Sequence, residues 1–182
     1  MPCYRRTDAS GGAFFFTVVS FHRRPLFDQP VSRQLLHEAV RKVRYCYPFI
    51  VDAWVLLPEH MHCIWTLPKG NADYSLRWNL IKSSFSKRAK HLYHVEAWMN
   101  DSKLKHREST IWQRRFWEHH IRSDDEYDAY MDYIHYNPVK HGLVRCVRDW
   151  PHSTFHRYLK LGIYPDFWGV GIERMSDLPF GD

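Results

Sequence analysis

The chain has 182 residues, enough for one domain with a full hydrophobic core and short for two. Twenty-six Lys and Arg against 20 Asp and Glu give a formal net charge of +6, which favours polyanionic partners, and aromatic residues make up 16%. No apolar run approaches the roughly 20 residues that span a bilayer, and Cys3, Cys46, Cys63 and Cys146 are scattered without a C-x-x-C pair, so a membrane protein, a zinc ribbon and a redox motif lack support.

Residues 1–12 are polar and end in Gly11-Gly12, a flexible lead into the first element. Residues 13–21 (AFFFTVVSF) are a near-continuous β-branched and aromatic run, the pattern of a buried central strand. Pro30-Val31-Ser32 opens a helix with Leu36, Ala39, Val40 and Val43 on one face, ending before Pro48. Its Arg33, Arg41, Lys42 and Arg44 fall elsewhere and read most simply as the wet side. Residues 49–57 (FIVDAWVLL) form a second strand, and the short break at Pro58-Glu59 predicts an antiparallel hairpin with the strand that follows. After a loop at 68–73, a helix over about 75–93 buries Trp78, Ile81, Phe85 and Leu92. Lys82, Lys87, Arg88 and Lys90 flank that stripe, as a phosphate track or as an ordinary solvated surface. Residues 94–110 lack periodicity and read as a long surface loop, whereas 111–121 (IWQRRFWEHHI) are strand-like and basic-aromatic. A last helix begins at Ser123, which with Glu126 makes a capping box, and ends at Asn137-Pro138.

This order of strand, helix, strand, strand, helix, strand predicts an α+β fold with a ferredoxin-like βαββαβ core. Helices cover one face of its antiparallel sheet, the other face is left for a site, and a C-terminal helix follows.

Within 57–68 (LPEHMHCIWTLP), His60 and His62 are two apart in a run of strand formers. In an extended strand they project to one face, while Met61, Cys63 and Trp65 point to the other. Two imidazoles so placed can reach one divalent metal. With 13 histidines in the chain, a pair of hydrogen-bonded surface histidines is the competing reading. On the last helix, Tyr127, Tyr130, Met131 and Ile134 form the apolar stripe. Tyr133 and Asn137, four apart, lie on a face turned roughly 70–110° from it, and Tyr136 falls nearly opposite the stripe, where solvent is expected. Asn137 could lend a carbonyl oxygen as a third metal ligand, with the Tyr133 phenol as a nucleophile beside it. The alternatives are a packed ring with a helix-end cap, and Tyr130 as the nucleophile.

The stretches WVLLPEHMHCIWTLP (54–68), IWQRRFWEHHIR (111–122), MDYIHYNPVKHGLV (131–144) and DWPHSTFHRY (149–158) carry a family resemblance. The chain resembles the REP-associated tyrosine transposases of the single-tyrosine HUH nuclease superfamily, over most of its length to about residue 165. The resemblance implies that His60 and His62 are metal ligands, that Tyr133 is the catalytic nucleophile, and that Asn137 is the polar ligand one turn later, where superfamily members often carry Gln. It implies Mg²⁺ or Mn²⁺, a 5′-phosphotyrosine link with a free 3′-OH, and strand transfer without ATP. The implied partner is a single-stranded DNA hairpin, the repetitive extragenic palindrome. Candidate DNA contacts are Arg5, Arg6, Trp112, Arg114 and Arg115, with Trp112 and Trp117 as core residues in the alternative reading. Residues 1–165 are expected to form a single catalytic domain, and 166–182 a tail that either folds back over the basic site or is loosely attached. A cytoplasmic monomer with its site completed within one chain is expected, the alternative being a dimer that exchanges the tyrosine helix. Other functions for the same residues are a hairpin-binding regulator that never cuts, an RNA-processing enzyme, and an unrelated zinc hydrolase.

Overall fold

Seven residues of strand β1 (Ala13–Val19) are all buried, so something must cover both faces of the sheet that holds them. The computed structural model describes residues 11–170 and shows what does. Strand β2 (Ile50–Leu56), strand β3 (His60–Thr66), β1 and strand β4 (Trp117–Ile121) form one sheet in the order β2-β3-β1-β4, with every pairing antiparallel. This is the ferredoxin-like core that the element order predicts. Helix α1 (Pro30–Cys46) and helix α2 (Tyr74–Tyr93) pack on one face, against Phe14, Phe16, Val18, Met61, Cys63 and Trp65. The Trp65 and Trp78 rings stack there at 4.1 Å.

The second face is not left open. Helix α4 (Asp124–Lys140), which follows the short helix α3 (Asp101–Lys105), lies across this face and packs Tyr127, Tyr130, Met131, Tyr133 and Ile134 against Phe15, Val55, Ile64 and Ile121. Its N-terminus is capped as expected, with the Ser123 hydroxyl accepting from the Glu126 backbone N–H. Its C-terminus is not where the proline rule puts it, because Pro138 sits inside the last turn. That turn closes through His141 N–H to Asn137 O and Gly142 N–H to Val139 O, and Gly142 adopts a φ of 66°.

Other boundaries differ from expectation for tertiary reasons. Between 111 and 121 the ladder is broken. Trp112 bridges Ser20 and Trp117 pairs with Thr17, so three steps along β1 face five on the partner. Lys82 holds this bulge, donating to the Gln113 and Arg114 carbonyls at 2.6 and 3.1 Å, so it is neither free surface nor phosphate track. Segment 94–110 is an ordered cap. It contains the short helix α3 (Asp101–Lys105), N-capped by Asn100. Arg24 ties it down by bonding the Tyr93 and Thr110 carbonyls and lying 4.9 Å over the Trp98 ring. Leu92, expected inside, is 45% exposed, and Ala89 takes the inward position. Tyr136, expected in solvent, is half-buried against Trp168 in a small third core with Val147, Phe155 and Tyr164.

That third core docks the C-terminal segment. Residues 152–154 run along the outer edge of β2, with Leu56 N–H bonding His152 O and Thr154 N–H bonding Trp54 O, both at 2.9 Å. Helix α5 (Phe155–Lys160) follows. Of the expected tail only 166–170 is described, and Trp168 packs on Tyr164 at 4.4 Å, so this part is attached. The fold-back expectation for the rest of the tail lies outside the described residues. Among the described residues no helix is long and apolar enough to cross a membrane.

Candidate metal and tyrosine site

Alternation along β3 turns His60 and His62 toward α4, with their ring centroids 4.8 Å apart and both side chains almost fully buried. Each ring is held by one nitrogen. His60 Nδ1 lies 2.9 Å from Glu59 Oε1, and His62 Nδ1 lies 2.9 Å from Thr17 Oγ1, the residue opposite it on β1. The hydrogen bond from His60 holds the Glu59 carboxyl down at about 2, with burial opposing and the Arg23 charge helping. A carboxylate only accepts, so His60 Nδ1 carries the hydrogen, and in the neutral ring Nε2 keeps its lone pair. His60 Nε2 is buried with no hydrogen-bond partner.

Helix α4 supplies the other half. The Tyr133 ring stands 5.3 Å from the His62 ring, and His141, just past the helix, stands 5.2 Å from the His60 ring. Asn137 lies midway between them on the same helix face, four residues from each. Its side chain is fully buried, and neither Oδ1 nor Nδ2 has a hydrogen-bond partner. An unsatisfied buried amide costs on the order of 1–3 kcal/mol per polar group. A buried polar group left without a partner marks a position that a bound ligand can satisfy. Among the described residues no group of three or more His, Cys, Asp and Glu could hold a metal. Two imidazoles and one amide oxygen make an open set, unlike the closed four-ligand set of a structural zinc site.

Two neighbours were not singled out from the sequence. Lys140 Nζ donates to Tyr133 Oη at 3.4 Å and lies 4.9 Å over the ring. It sits two turns beyond Tyr133, so it becomes visible only once α4 is carried through Pro138. His141 needs the same extension.

The remaining candidates scatter. Tyr130 packs on Phe15 and His119, toward β4, and burial followed by the Glu126 charge pushes its phenol up to about 12. Trp112 corrects the stacking expectation: it is 5% exposed, wedged against Phe27 and Phe85 in the core, so its ring offers no face to a base. Arg114 is half-exposed, pairs with Glu108 at 2.5 Å and bonds Ser102 Oγ at 2.8 Å. Arg115 is exposed on the bulge. Arg5 and Arg6 lie outside the described residues.

No protein-family model matches the chain. It is 47% identical over 176 residues to the REP-associated tyrosine transposase of Escherichia coli K12, covering 97% of this chain and 96% of that protein. The chain belongs to the family of REP-associated tyrosine transposases. A relative from Haemophilus influenzae Rd assigned to the same family is 41% identical, over 93% of this chain and 94% of its own length. Among solved structures, that of a REP-associated tyrosine transposase bound to a REP hairpin aligns with a TM-score of 0.75 at 44% identity, over 95% of this chain and 94% of the other. As a member of the REP-associated tyrosine transposases the chain shares their fold.

Proposed function

We propose that this protein is a metal-dependent endonuclease and strand transferase for single-stranded DNA, which binds REP-type hairpins and cleaves them through Tyr133. One observation carries the reading: His60 Nε2 on β3 and the Asn137 amide on α4 are buried without partners, and Asn137 lies one turn from Tyr133, whose ring stands 5.3 Å from the His62 ring. His60, His62 and Asn137 would hold Mg²⁺ or Mn²⁺, which when bound polarises a phosphate oxygen and offsets developing charge. Tyr133 Oη forms the new bond to phosphorus as the bond from phosphorus to O3′ breaks. The phenol gives up its proton and the departing O3′ takes one, so protons balance. The products are a 5′-phosphotyrosine and a free 3′-OH, and a second 3′-OH reverses the step and joins strands. Lys140 stands where a phosphate next to Tyr133 Oη falls within its reach. Because α4 packs on the histidines of its own chain, this reading completes the site in a monomer.

A hairpin binder that never cuts is favoured by one feature: Tyr133 is only 2% exposed. A denaturing-gel assay with labelled REP-type hairpins separates the two. Wild type with Mn²⁺ is expected to form a covalent protein–DNA adduct that EDTA abolishes, and Tyr133→Phe to bind without forming it. Adduct formation by Tyr133→Phe would return the role to Tyr130. Tight binding with no adduct in Mg²⁺ or Mn²⁺ would establish the binder.

A further inference from the structure

On the sheet face away from the histidines, α1 and the edge strand β2 leave a groove of about 570 Å³, with residues 152–157 forming its outer lip. One wall is α1, which presents Arg33, His37, Arg41 and Arg44 along a single helix face. Three of these belong to the set that sequence alone reads as a solvated side. Arg157 stands on the opposite lip, and the half-buried Trp54 lines the base. No residue lining the groove is acidic.

The positive charge is held in place mostly by backbone carbonyls. Arg33 donates to the Phe27 and Asp28 carbonyls at 2.8 Å, Arg44 to the Phe49 carbonyl at 3.1 Å, and Arg157 to the Val51 carbonyl at 3.3 Å and to the Asp52 carbonyl. Carbonyls fix a guanidinium in direction and leave its net charge intact. Among the described residues none of the four arginines makes a salt bridge with a carboxylate, although Glu38, bonded by Gln34 and Arg88, offsets part of the Arg41 charge and Asp52, bonded by Thr66, part of the Arg157 charge. His152, at one end of the groove, is lowered from its ordinary value by burial and then by the Arg33 charge.

From Arg33 to Arg44 the wall runs about 16 Å at the helical rise, enough for a few phosphates of one strand. Its Leu56 end adjoins the β2–β3 turn, where Leu57 N–H bonds His60 O at 2.9 Å. That turn connects the groove's edge strand to the strand that carries the histidines. We propose that the groove binds a single-stranded flank of the nucleic-acid substrate, with the arginines on its phosphates and Trp54 against a base. This rests on the DNA-hairpin reading above. A basic groove with an aromatic base is the arrangement that tracks an unpaired strand, since a ring inside a groove serves only a base that is not paired.

His37 and Arg41 are exposed and make no side-chain hydrogen bond among the described residues, so His37→Gln/Arg41→Gln can be tested in a folded protein. Binding to a labelled REP-type hairpin with a flank of about ten nucleotides, and to the same hairpin without it, is measured across a salt series, with thermal melts as the folding control. The variant is expected to bind the flanked hairpin about tenfold more weakly, with a salt slope shallower by about 0.7 for each phosphate that is no longer neutralised. The flankless hairpin is expected to bind both proteins equally. Unchanged affinity for the flanked hairpin, or an equal loss on both DNAs, overturns the groove assignment and leaves the hairpin reading in place. If wild type binds neither DNA, both readings fall.

Discussion

Lys140 Nζ lies 3.4 Å from Tyr133 Oη, so a phosphate that meets the phenol also meets an ammonium. On the proposed cleavage reading, its contribution belongs to the reacting phosphate more than to the hairpin as a whole. Lys140→Met is expected to slow single-turnover adduct formation about a hundredfold, within the range seen when one charge-stabilising donor is removed. Hairpin affinity should change less than about threefold, and Lys140→Arg should recover part of the rate. Equal losses of rate and affinity would make Lys140 an ordinary binding cation. At this scale the sequence is informative where the answer is local. His60 and His62 share a face because a strand alternates, and Tyr133 and Asn137 share one because a helix turns. It misplaces Trp112, because a tryptophan beside arginines reads alike whether it meets a base or, as here, Phe27 and Phe85.

At the scale of elements, the β4 bulge depends on a residue far from it in sequence. Lys82 bonds the carbonyls of Gln113 and Arg114, and burial brings its ammonium down to about 8. Lys82→Met removes the donor and leaves two carbonyls without it. Stability should fall by about 1–3 kcal/mol, read as a lower urea midpoint at unchanged slope. A midpoint within error of wild type would mean that the bulge is set by its own backbone. Helix α4 teaches a related point. Pro138 signals an end, but in the last turn its missing N–H removes a single bond, and Gly142 closes the helix two residues after Lys140. The extension matters because it brings Lys140 to Tyr133.

At the scale of the molecule, a buried polar chain joins the sheet edge, α4 and the C-terminal segment. His135 bonds Tyr164 Oη and Thr154 Oγ1, each at 2.9 Å, and Tyr164 Oη donates to Asp132 at 2.8 Å. Burial, then the Arg157 and His156 charges, holds His135 down at about 3 against an ordinary 6.5. The unfolded chain therefore binds this proton and the folded chain does not between those values. The stabilisation is full above about 6.5 and is lost as pH falls toward 3, at up to about 1.4 kcal/mol per pH unit. Melting temperature should drop on acidification from about pH 7 to about pH 4, and His135→Gln should show a shallower drop. Parallel slopes would place the acid sensitivity elsewhere.

The sequence by itself determined the ferredoxin-like order, the face that carries the two histidines, the tyrosine helix and its cap, because periodicity and capping act over a few neighbouring residues. Tertiary structure alone decided that Tyr133 and His141 stand against the His62 and His60 rings, that segment 94–110 is an ordered cap held by Arg24, and that the α1 arginines face Arg157 across a groove rather than open water. Each of these depends on which element packs opposite, and a side chain carries no mark of its distant partner until the chain has folded.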